Sequence, residues 1–73
     1  MECLSGILEV LDTSIGPHRQ IKCTSREQKI YLIGEYLAGA FIAFKVAGAG
    51  QIYDPRVEGG LLAGLPCSQV NAS

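Results

Sequence analysis

The sequence has no tryptophan, a single histidine and a single methionine, and charged residues make up only 18% of it. About 25% is usual for a soluble domain. Each shortage closes off a class of function. Six Lys and Arg stand against seven Asp and Glu, for a net charge of −1. A coat for nucleic acid needs a clear basic excess to meet phosphates, so nucleic acid is not an expected partner. The basic residues that do cluster, Arg19, Lys22, Arg26 and Lys29 beside His18, belong to no recognisable reading module and are expected to be a solvated face. Disorder is excluded for the opposite reason. Disordered chains are poor in apolar residues and far from neutral, and here 48% of the residues are hydrophobic.

Reactive groups are equally sparse. His18 lies on a Gly16-Pro17 turn with no Ser/Asp or Cys partner at a catalytic spacing. No C-x-x-C occurs, and His18 with Cys23 matches no zinc spacing. The runs Gly48-Ala49-Gly50 and Gly59-Gly60 fit neither a phosphate loop nor a dinucleotide fingerprint. The expectation is therefore no enzyme, no cofactor and no metal. The opening Met1-Glu2-Cys3-Leu4 places an acid where a secretory signal has its basic region. Cys3, Cys23 and Cys67 are accordingly expected as free thiols in the cytoplasm.

What the sequence does have is apolar pattern and glycine, nine residues of it in 73. That length allows one domain, residues 1–73, burying about 60% of its unfolded surface. Leu4, Ile7, Leu8 and Leu11 follow i, i+3, i+4, i+7 and predict a short helix over about 2–12. Residues 13–18 read as a turn, and 19–23 as a short strand or extended linker. Thr24 with Glu27, or Ser25 with Gln28, forms a capping box that launches a second helix. Ile30, Ile33, Leu37, Phe41 and Phe44 then share one helical stripe, predicting a long Gly/Ala-rich helix over about 25–47 that stops at Gly48-Ala49-Gly50. Gln51-Ile52-Tyr53 suits one short strand and Asp54-Pro55 a turn, ahead of an irregular Gly-rich C-terminal arm. The expected fold class is mainly α, a hairpin-like helix pair. The alternative is α+β, with residues 6–12 and 19–24 paired as a β-hairpin before the long helix.

The function expected from this pattern is a non-enzymatic structural or interaction subunit within a homo- or hetero-oligomer, its partner a second copy or a larger subunit. Gly34, Ala38, Gly39 and Ala43 form small-x-x-x-small rows on the long helix, a pattern that lets backbones approach closely. Leu61, Leu62 and Leu65 on the arm complete the expected interface. Glu35 and Lys45 interrupt the apolar helix and are candidates for buried charges that need partners. The alternative function is a single-span membrane protein, with residues 30–50 crossing the bilayer and the N-terminus cytoplasmic, since most of the basic residues precede the segment.

Overall fold

The computed structural model describes residues 6–67. Within them the chain runs β1 (Leu8–Asp12), β2 (Arg19–Gln20), α1 (Arg26–Leu37), β3 (Ile42–Val46), β4 (Ile52–Tyr53) and α2 (Pro55–Gly64). The strands form one antiparallel sheet in the order β2-β1-β3-β4. The architecture is α+β, which overturns the mainly helical expectation. The N-terminal hairpin of the alternative is present as β1 and β2, but no long helix follows it.

Alternation explains β1. Leu8 and Val10 are fully buried on one face, while Glu9 and Leu11 turn to the other and are half-buried. The expected helix over 2–12 mistook this strand because Ile7 and Leu11 make its outer face apolar too, which hides the period of two. Its first residues, 2–5, lie outside the described residues. The turn that follows is built on Asp12, whose Oδ1 accepts from the Ser14 amide at 2.9 Å and the Ser14 hydroxyl at 2.6 Å.

Ser25 is the N-cap of α1, and its hydroxyl accepts from the Gln28 amide at 3.1 Å. Gln28 Oε1 reaches back to the Thr24 amide at 2.9 Å. The helix then ends at Leu37, ten residues before its expected stop. Gly39, with φ 110°, terminates it: its amide donates to Tyr36 O and the Ala40 amide to Glu35 O, both at 2.9 Å. That pair of bonds is a Schellman motif. The rest of the expected helix is β3, where Phe44 and Val46 turn inward against Leu8 and Val10. Gly48 and Gly50, with φ of 83° and 74°, then turn the chain into β4.

The C-terminal arm is not irregular. Asp54 caps α2, accepting from the Arg56 amide at 2.9 Å, and Pro55 occupies the first turn, where its missing N–H is harmless. Glu58, at φ −107° and ψ 27°, kinks the helix just before Gly59-Gly60. After α2 the chain returns to the sheet, where the Leu8 amide donates to Pro66 O at 2.9 Å and Cys67 bridges Leu8 in parallel. Both helices cover the same sheet face: Leu32, Leu62 and Leu65 join Leu8, Val10, Phe44, Val46 and Cys23 in one core. Tyr36 crosses from α1 to meet Phe44 edge-on, ring centroids 5.4 Å apart, with the Arg56 guanidinium 5.8 Å from its own centroid.

Cys23 and Cys67 are joined by a disulfide, which corrects the expectation of free thiols at those positions. Cys3 lies outside the described residues. Residues 30–50 comprise most of α1, a turn and β3, so the expected span does not exist. No helix among the described residues is long and apolar enough to cross a membrane.

Candidate interaction surface

The charge that the fold buries is neither of those expected. Glu35 is exposed on α1, and Lys45 is half-buried on β3. Both stood out only because they interrupt an apolar run, and that run is a helix followed by a strand rather than one helix. The buried cation is Lys29, 5% exposed. Its Nζ donates to the carbonyls of Leu62 at 3.1 Å, Ala63 at 2.8 Å and Leu65 at 2.6 Å. Leu62 and Ala63 lie in the last turn of α2 and Leu65 is its C-cap, at the end where the helix dipole favours a cation; Leu62 O also accepts from the Leu65 amide at 3.3 Å. Burial pushes the Lys29 pKa below its ordinary value, and nearby Arg26 adds to the shift. Lys29 therefore fastens α1 to α2. Its sequence signal was nil, since it lies inside a basic cluster that reads as solvated.

A groove of about 520 Å³ opens beside this lysine, lined by Thr24, Ser25, Arg26, Pro66 and Cys67 among others. All three Lys29 donors already point at backbone carbonyls, so the groove holds no buried charge available to a ligand. A second hollow of about 380 Å³ lies under the turn between β1 and β2, against Asp12, Ile15 and Arg19. The Asp12 carboxylate there is engaged by Ser14 and held below its usual pKa, chiefly by the Ser14 hydroxyl and then by the Ser14 amide. His18 is exposed, and no group of three His, Cys, Asp or Glu able to hold a metal occurs among the described residues.

The expected interface residues are dispersed. Gly34 and Ala38 are exposed on α1, on the side away from Leu32, while Gly39 sits in the turn. A Cβ at Gly39 would meet nothing within 4 Å, so a substitution there strains the backbone rather than separating packed helices. Ala43 is buried in β3, Leu61 is half-buried, and Leu62 and Leu65 lie in the chain's own core. Those two leucines are therefore not available to a partner.

Two apolar surfaces remain among the described residues, the outer side of α1 at Ile30, Tyr31 and Leu37 and the sheet face opposite the helices. Direct strand partners point to the same side of a sheet, so the pairs Glu9 with Lys45, Leu11 with Ala43, and Lys45 with Ile52 all fall on this face. Ile7 and Phe41 extend it by alternation. Ile7 is 41%, Ile52 55% and Phe41 71% exposed. An antiparallel sheet with one solvated face ordinarily turns polar residues to water; here Glu9, Lys45 and Gln20, the direct partner of Leu11, share the face with Ile7, Leu11, Phe41 and Ile52. The signal was present in Phe41-Ile42-Ala43-Phe44-Lys45-Val46, which is apolar at both parities, but the helical stripe absorbed it. Comparison with protein-family models, curated proteins and solved structures finds no match.

Proposed function

We propose that this chain is a non-enzymatic structural or interaction subunit that works within an oligomeric assembly and engages it through the open sheet face. The observation that carries this reading is the apolar character of that face at Ile7, Leu11, Phe41 and Ile52, where an unpartnered sheet would be polar. The small core supports it. A core of this length supplies only about 3–5 kcal/mol beside what the Cys23–Cys67 disulfide adds, and leaving large side chains in water adds nothing to that. The disulfide favours an oxidising compartment over the cytoplasm expected from the sequence.

Native size tests the proposal. Sedimentation of the purified chain across a dilution series, together with its elution in a gentle extract of its own cells, should report a species larger than the 7.8 kDa chain. A free monomer in both settings would overturn the reading.

A further inference from the structure

We infer that the occupant of the open face is a second copy of the same chain, docked sheet to sheet about a two-fold axis that runs along the seam between β1 and β3. The inference rests on the assembly reading above and names its partner. It follows from how charge and size are arranged across the seam. Glu9 on β1 lies directly beside Lys45 on β3, and Leu11 lies directly beside Ala43. Rotation about that axis lays β1 of one copy over β3 of the other. Glu9 then faces Lys45 of the second copy and Lys45 faces its Glu9. Leu11 is set over Ala43, itself only 6% exposed, so the Leu11 side chain supplies the contact area there in both halves. A two-fold contact must be self-complementary in this way, each pair occurring twice.

The outer side of α1 is also apolar, with Ile30, Tyr31 and Leu37 exposed around Gly34 and Ala38. It carries Glu27 and Glu35 against a single cation, Arg26, at its N-terminal end, and lacks the direct opposite-charge register of the sheet face.

Size sets the strength. β1 and β3 are five residues long and β2 and β4 two, so at about 3.4 Å per residue and about 4.8 Å between strands the paired face covers about 230 Å². Two such faces bring about 460 Å² together, below the ~1,000 Å² lower edge of a stable interface, which makes this a weak, transient contact.

Charge exchange provides the test. Glu9→Lys makes the seam wholly basic and Lys45→Glu makes it wholly acidic, so each variant alone should self-associate at least about tenfold more weakly than the native chain in sedimentation equilibrium. Mixed in equal amounts, the two should form a heterodimer. The double variant Glu9→Lys/Lys45→Glu keeps an opposite-charge pair across its own strands and so keeps its fold. It should self-associate like the native chain yet fail to mix with it, because like charges then meet in both halves. Leu37→Glu on α1 should leave association unchanged. The inference is overturned by a native chain that is monomeric up to about 1 mM, by double-variant and native chains that mix freely, or by loss of association in Leu37→Glu. If the chain is large in its own extract but monomeric when pure, self-docking fails while the assembly reading survives.

Discussion

A lysine ammonium has three N–H donors, and Lys29 directs all three to carbonyls at the end of one helix. Water cannot easily replace them, because the side chain is among the buried groups of the molecule. Lys29→Met keeps most of the aliphatic length and removes only the donors. It should lower stability by about 2–4 kcal/mol, the scale of losing charged hydrogen bonds and stranding buried acceptors. That is most of what a core of this size supplies, so the urea midpoint should fall steeply with little change in slope. A loss below about 0.5 kcal/mol would show that the α2 carbonyls are satisfied without the lysine. Nothing in the sequence pointed to this residue. A cation in the first turn of a helix is usually solvated, and only the return of a segment more than thirty positions away brings α2 onto it. Glu35 and Lys45 were conspicuous for a reason that vanished with the long helix.

At the scale of elements, local chemistry was legible and long-range choice was not. The Ser25–Gln28 cap, the turn at 13–18 and the short strand at 52–53 follow from side chains that act on their own backbone. Helix against strand over 38–46 does not, because Phe41 to Val46 fits a helical stripe as well as a strand. Two features decide it: Gly39 provides a ready exit from α1, and β1 offers β3 a five-residue ladder. Asp54-Pro55 suits a turn but equally matches a helix start, with an acid at the cap and proline just inside. The Arg56 side chain lowers the Asp54 pKa below 3.8, and its amide lowers it further. A carboxyl whose pKa is lower in the folded than in the unfolded chain contributes stability above the unfolded value and loses it as pH falls through the folded value. Asp54→Asn retains a capping oxygen but does not titrate. The native chain should therefore be the more stable at pH 7, and its advantage should shrink as melting is followed below about pH 4. An advantage that stayed constant down to pH 2 would remove Asp54 as a titrating cap.

For the whole molecule, the disulfide closes the fold. Cys23 precedes α1 and Cys67 follows α2, a separation of 44 residues, so the loop between them contains both helices and half of the sheet. Closing a loop of that length restricts the unfolded chain by about 4 kcal/mol in the entropic account. Alone, the small core supplies a similar amount, and the bond and the packing together hold the helices on the sheet. Reduction should consequently lower the melting temperature by roughly 15–30 °C for a domain of this size. Under the proposed self-docking it should also make melting more dependent on protein concentration, because a ligand that binds only the folded chain supports it by mass action. Thiol titration in denaturant gives the direct count. The sequence has three cysteines and the bond takes two, so one thiol should react before reduction and three after it. Three reactive thiols without reductant, together with a melting temperature that reduction leaves unchanged, would mean that packing alone holds this fold without the covalent staple.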